Sequence, residues 1–230
     1  MDNRRDIASN RFETTLPESP FAGISGVILA GGDSRRMGSD KAFLPILGAR
    51  FIDHVYLCME RLFSEVLIIT RTPAHYGDIP CRKVTDIYPG LGALAGIHSG
   101  LLHATSERIF VAACDMPFIS PIVVRYICSF AAQGDLVLPY TSGGHEPLQA
   151  VYSRACLPAI EQVLEKGQRR VGAFFDRVRV IKISADEIIR LDPEEKSFCN
   201  INTPEDYFRL RNGFQVDLSF QGAVGKISKK

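Results

Sequence analysis

The densest concentration of reactive side chains in this 230-residue chain is LAGGDSRRMGSDKAF, residues 29–43. From Gly31 it holds three glycines, two arginines and a lysine within thirteen residues. Gly31 and Gly32 can take positive φ and let backbone N–H groups approach a phosphate, while Arg35, Arg36 and Lys41 supply charge-assisted hydrogen bonds to its oxygens. A tight turn with solvated basic residues is the competing reading. Three glycines with three cations directly after a buried strand favour an anion site over that turn. The two commonest glycine signatures do not fit. A P-loop has four residues between its glycines and then lysine with serine or threonine, whereas five separate Gly32 from Gly38 and Ser39-Asp40 follow. GGDSRRMG also lacks the G-x-G-x-x-G of a dinucleotide fingerprint.

Two aspartates stand at the ends of apolar runs. Asp115 closes RIFVAAC, where its carboxylate could grip a Mg²⁺ held by substrate phosphates; an aspartate that starts the turn before Pro117 is an equal reading. Asp86 could accept hydrogen bonds from a base or sugar, or begin a turn in DIYPG. His54, His98 and His103 fall in helical segments with no nucleophile beside them, and read as surface or satisfied core residues. His145 and Glu146, in the glycine-rich TSGGHEP, form a second rank of candidates. The six cysteines are widely spaced with no C-x-x-C pair, and read as free thiols without a catalytic role.

Positioning these groups requires strands that end at one edge. ISGVILA (24–30), EVLIIT (65–70), CRKVTD (81–86), RIFVAAC (108–114) and RVIKIS (179–184) have the composition of buried strands. Helical spacing runs through 51–63, 91–105, 121–133, 153–167 and 203–212, and DLVLPY and LQAVYS pair as antiparallel strands across TSGGHEP. The alternation predicts an α/β fold with a mostly parallel sheet covered on both faces, whose ligands collect beyond the carboxyl ends of the strands.

Composition bounds the rest. Hydrophobic residues at 46% and charged residues at 23% are those of a globular protein. A net charge of +1 without a long basic stripe argues against nucleic-acid binding. The absence of a long apolar run or a signal-like segment argues against a membrane span and for a cytoplasmic location. The polar stretches at 1–22 and 213–230 are expected to be a flexible arm and a tail around one domain at 23–212.

LAGGDSRRMGSDKA closely resembles the signature of the molybdenum cofactor guanylyltransferases, the nucleotidyltransferases that make molybdenum guanine dinucleotide. DIYPGLGALAGI, CDMP, EPLQAVYSR with the later GQRRV, and FCNINTPEDY resemble later blocks of that family in the same order, covering roughly residues 24–210. The resemblance implies a three-layer Rossmann-like domain that binds GTP with Mg²⁺ and transfers GMP to the terminal phosphate of molybdopterin. It further implies transient contact with molybdopterin-handling proteins. Carried over by position, Leu29, Ala30 and Gly31 contact the nucleotide, Lys41 its phosphates, Asp86 the guanosine part and Asp115 the magnesium. Asn200 and Asn202 face the pterin side. Arg35, Arg36, Lys41 and Asp115 make up the catalytic set. Ile69 stands where relatives often carry asparagine, and Ala93 where they usually carry proline. Two other readings remain at this point: a cytidylyltransferase, whose members usually have alanine in place of Gly31, and a nucleotide-binding or cofactor-carrier protein without turnover.

Overall fold

A computed structural model describes residues 20–31 and 41–213, so that Gly32, Arg35 and Arg36 lie outside the described residues. In chain order the elements are β1 (Ile24–Leu29), a hairpin of β2 (Pro45–Ile46) and β3 (Ala49–Arg50), α1 (Phe51–Leu62), β4 (Val66–Ile69) and β5 (Arg82–Val84). There follow α2 (Gly92–His103), β6 (Arg108–Ala113), α3 (Pro121–Ser129), β7 (Leu136–Thr141), β8 (Gly144–His145) and β9 (Gln149–Ser153). The described chain closes with α4 (Leu157–Leu164), β10 (Val180–Ile183), α5 (Ala185–Leu191) and α6 (Pro204–Gly213). No helix among the described residues is long and apolar enough to cross a membrane.

The central sheet has the order β10-β7-β9-β6-β1-β4-β5, with β8 paired to the end of β7. β1 is parallel to β4 and β6, β4 to β5, and β7 to β10, while β9 runs antiparallel between β6 and β7. The antiparallel pairing of DLVLPY with LQAVYS is present, and β9 is inserted into the interior of the sheet.

Alternate residues of each strand supply two cores, as the period of two in a strand requires. Ile24 and Ile28 of β1 and Ile68 of β4 pack with Val55, Met59 and Leu62 of α1, Val123 and Ile127 of α3 and Ile188 of α5. Val27, Leu67 and Val111 face the other way, onto Leu94, Ile97 and Leu101 of α2 and Ile160 and Val163 of α4. Three layers result, with two helices on one face and three on the other. Each fully buried aliphatic side chain in these layers contributes roughly 1.5–3 kcal/mol.

The strand–helix contact at β1 is unusually close. A Cβ at Gly96 of α2 would lie 2.9 Å from Leu29, and one at Gly100, a turn later, 2.9 Å from Val27 and 3.1 Å from Ile109. Two glycines on one helix face thus let α2 sit down on β1, which brings its amino end beside the end of that strand.

Several elements depart from the sequence reading. The helix expected over 121–133 stops at Ser129, and Ala131–Gln133 is a 3-10 turn. The β2–β3 hairpin went unread because its turn residues are Leu47 and Gly48, at φ 50° and 84°, and leucine is a poor sequence marker for that conformation. α5 had a marker: Ser184 and Glu187 form a reciprocal capping box, with the Ser184 hydroxyl accepting from the Glu187 N–H. Phe21, inside the stretch assigned to the N-terminal arm, pairs with Phe63 and donates its N–H to the Leu62 carbonyl at 2.8 Å.

Because Gly100 meets the branched Val27 rather than the tip of a flexible chain, Gly100→Val should destabilise the fold by about 2 kcal/mol or more. In thermal unfolding this corresponds to a melting temperature lower by about 4–8 °C; an unchanged value would show that α2 does not need to approach so closely.

Candidate active site

The chain leaves β1, builds β4 and β5 on one side of it, and returns to β6 on the other. In parallel α/β sheets a crevice opens at the carboxyl edge where the strand order reverses in this way. Here a cleft of about 180 Å³ opens at that edge, lined by Leu29, Ala30, Gly31, Lys41, Ile69, Asp86, Gly92, Ala93, Gly96, Ala113, Cys114, Asp115 and Leu148. The backbone ladders run on past the strands: the Ala30 N–H donates to the Ile69 carbonyl at 2.9 Å, and the Cys114 N–H to the Leu29 carbonyl at 3.1 Å. Leu29, Ala30 and Cys114 are therefore fixed to both neighbours of β1.

Gly31 does not take the positive φ expected of it. Its φ lies outside the left-handed range, so backbone freedom is not the reason for glycine here. Space is the better reason. A methyl group at this position would have Asp86 Oδ2, the Ile69 carbonyl and Thr70 Cα as nearest neighbours, all at 3.9 Å, and would stand between the ends of β1 and β4 in the cleft wall. The left-handed glycines near the site are Gly90 and Gly92, at φ 86° and 71°, in the loop that leads into α2.

The charged groups are partly desolvated. Lys41 opens a short 3-10 turn where the described chain resumes. Its Nζ donates to Asn202 Oδ1 at 2.8 Å and lies 4.0 Å from Asp115 Oδ2. Burial pushes the Asp115 carboxyl above the usual aspartate range, and the Lys41 ammonium pulls it back. Burial also raises Asp86, against the Arg71 charge and the Ser99 hydroxyl. Among the described residues the buried Asp86 Oδ1 atom has no hydrogen-bond partner. An orphaned acceptor in a cleft wall is costly unless something donates to it, and a ligand N–H or O–H would do so.

The amino end of α2 also borders the cleft. No side chain caps that end, and Gly92 and Ala93 line the cleft beside it. The uncapped N–H groups and the positive pole of a twelve-residue helix favour negative charge there. Among the described residues no three His, Cys, Asp or Glu side chains converge as a metal cage. A single strand-end carboxylate such as Asp115 suits a cation that fills most of its shell with phosphate oxygens and water, as Mg²⁺ does.

Of the residues named from sequence, Leu29, Ala30, Gly31, Lys41, Asp86 and Asp115 come together in the cleft. Asn202 joins them through Lys41, and Asn200 is exposed nearby in the chain. His145 and Glu146 do not line the cleft. The His145 ring lies 6.3 Å from Tyr140 and 5.7 Å from Phe175 between centroids, and the Glu146 carboxylate accepts from the Thr141 hydroxyl at 2.8 Å. His54 and His98 are core residues, bonded to the Ile46 carbonyl and to Glu161. All six cysteines are free, and burial pushes Cys58 and Cys156 up to about 12, where they are inert. The α2 wall was the part missed: the small residues of GALAG were read for helical period and not for the close approach they allow.

Comparison with known proteins agrees with this architecture. Residues 26–180 match the family model of the MobA-like NTP transferase domain. A molybdenum cofactor guanylyltransferase from Desulfosudis oleivorans is 39% identical over 185 residues, spanning 80% of this chain and 92% of the relative. A probable molybdenum cofactor guanylyltransferase from Pelotomaculum thermopropionicum is 38% identical, with 81% and 91% covered. The crystal structure of molybdopterin-guanine dinucleotide biosynthesis protein A from Archaeoglobus fulgidus superposes with a TM-score of 0.74 at 27% identity, covering 82% of this chain and 97% of that one. With a carboxyl-edge cleft, a glycine-flanked strand end and a matching domain over most of its length, the chain is a nucleotidyltransferase belonging to the molybdenum cofactor guanylyltransferase family, built on the MobA-like NTP transferase domain.

Proposed function

We propose that the cleft binds Mg-GTP and transfers GMP to the terminal phosphate of molybdopterin, forming molybdenum guanine dinucleotide and releasing pyrophosphate. The observation that carries this reading is the convergence of Gly31, Lys41, Asp86 and Asp115 on one cleft at the end of β1, from three separate stretches of chain. Gly31 and the unpartnered Asp86 Oδ1 form the side suited to a nucleoside, and Lys41 with Asp115 the side suited to its triphosphate.

In this reaction an oxygen of the acceptor phosphate attacks the α-phosphorus of GTP. The bond from that phosphorus to the bridging β-oxygen breaks, and pyrophosphate departs with the electron pair. The nucleophile is a phosphate monoester, largely ionised at pH 7 with a second pKa of ~6, so no side chain has to remove a proton. The barrier lies in bringing two polyanions together in line. Lys41 stabilises charge developing on the leaving pyrophosphate, a role the sequence also suggests for Arg35 and Arg36, which lie outside the described residues. Asp115 would hold a Mg²⁺ that neutralises phosphate oxygens and templates the geometry.

The direct test is pyrophosphate release from Mg-GTP with molybdopterin, read together with the dinucleotide product. One pyrophosphate per dinucleotide is expected, and neither from Mg-GTP alone; no product from an otherwise folded protein with GTP and molybdopterin would remove the assignment. For base choice, the structure gives Gly31→Ala room to fold, so its added methyl acts on the ligand. The ratio of kcat/KM for GTP over CTP should fall by about tenfold or more, as one carbon in a fitted pocket commonly commands. An unchanged ratio would take Gly31 out of the specificity argument.

The Asp115 carboxylate predicts a trade of stability for activity. Its folded pKa is raised, so the folded state keeps the proton longer than the unfolded chain does. Stability therefore falls as pH rises from the unfolded value of ~3.9 through the folded one, and the full penalty is present at neutral pH. Asp115→Asn should melt higher than the unliganded wild type at pH 7.5, by about 1–3 °C, and converge with it near pH 4. The same variant should lose turnover by about a hundredfold or more. A lower melting point at pH 7.5 would contradict the desolvation argument.

A further inference from the structure

Lys41 is held from a distant part of the chain. Its ammonium donates to Asn202 Oδ1, 161 residues later, at 2.8 Å. Asn202 is itself tied down. Its backbone N–H donates to Asp206 Oδ2 at 3.2 Å, and the same oxygen accepts the Thr203 N–H at 2.9 Å, while the Thr203 hydroxyl accepts the Asp206 N–H at 3.1 Å. This capping box at the start of α6 fixes the loop before it.

The flanks of the loop are fastened to the Lys41 and Asp115 side of the cleft. Ile201 is fully buried with Ile46 and Phe51, and its N–H donates to the backbone carbonyl of Asp115 at 3.1 Å. The Tyr207 hydroxyl donates to the Pro45 carbonyl at 2.6 Å, four residues after Lys41. The Ser197 carbonyl accepts from the buried Gln149 amide at the start of β9. One segment, 197–207, is thus fastened to the residue that carries the metal-suited carboxylate and to the hairpin that follows the lysine.

We infer that Asn202 is a positioning residue for Lys41 in the nucleotide site, so that the segment 197–207 serves triphosphate binding before any acceptor arrives. A lysine side chain is long, and directing its ammonium costs rotamer freedom. An amide oxygen can set that direction without cancelling the charge, which a carboxylate at the same place would do. The Asp115 carboxylate, at 4.0 Å, marks the side to which the held ammonium is turned. The inference rests on the reading of the cleft as a Mg-GTP site, but it differs from the role implied by family resemblance, in which Asn202 faces the pterin. An acceptor contact affects binding only when acceptor is present; a positioning contact affects Mg-GTP alone.

The test is calorimetric binding of Mg-GTP, without molybdopterin, to wild type, Asn202→Ala, Lys41→Met and the double variant, alongside steady-state turnover. Asn202→Ala should weaken Mg-GTP binding about tenfold and should cost little further once Lys41 is methionine. In turnover, KM for GTP should rise while KM for molybdopterin holds. General loosening of the segment would persist in the Lys41→Met background, so additive losses overturn the inference. So does an Asn202→Ala protein that binds Mg-GTP as tightly as wild type, or one in which only KM for molybdopterin rises. If wild type itself neither binds Mg-GTP nor releases pyrophosphate, the reading of the cleft fails first, and this inference with it.

Discussion

β1 is hydrogen-bonded along both edges, to β4 and β6, and covered on both faces, by α1 below and α2 above. Four neighbours fix the position of Leu29 before any ligand is considered. The chain beyond it inherits that position, because Ala30 and Cys114 continue the ladders past the last strand residues. A catalytic geometry that must bring two polyanions together within bonding distance cannot rest on a loop alone. Here the loop that carries Lys41 begins on a strand held along both edges and ends on a small hairpin packed against Ile201. The closeness of α2 to β1, made possible by Gly96 and Gly100, makes a helix terminus part of the wall of the same cleft.

The electrostatics follow from that architecture. Strand ends are drier than loop tips, and both cleft aspartates are raised by burial. Among the described residues Asp115 has Lys41 at 4.0 Å, and one oxygen of Asp86 has no hydrogen-bond partner. Such groups weaken the unliganded fold and strengthen binding of whatever brings the missing charge or donor. A metal–nucleotide complex brings both, a cation for one aspartate and ring or sugar N–H and O–H groups for the other. The cost in stability and the capacity for catalysis thus come from the same burial.

Much of this was legible in the sequence because the signals are local. β1, β4, β6 and their helices announce themselves by apolar period, and the rule that ligands gather at strand carboxyl ends puts Gly31, Asp86 and Asp115 at one edge without any coordinate. What escaped depended on contacts between distant residues. The Leu47-Gly48 turn carries no usual marker, the insertion of β9 between β6 and β7 is a matter of sheet order, and the pairing of Lys41 with Asn202 joins residues at opposite ends of the domain. Gly31 shows how a glycine can be read for the wrong reason. The residue type suggested backbone freedom, whereas its φ lies outside the left-handed range and an added methyl would meet its nearest neighbours at 3.9 Å.

The central claim is that the end of β1 organises a nucleotide with its base toward Gly31 and Asp86 and its triphosphate toward Lys41 and Asp115. A crystal structure with a non-hydrolysable GTP analogue and Mn²⁺ in place of Mg²⁺, read by anomalous scattering, tests it most directly. The account predicts the manganese peak in direct coordination to the Asp115 carboxylate, with the guanine beside Gly31 and a nucleoside donor on Asp86. A peak elsewhere on the protein, or a nucleotide bound with its phosphates away from Lys41, would contradict it.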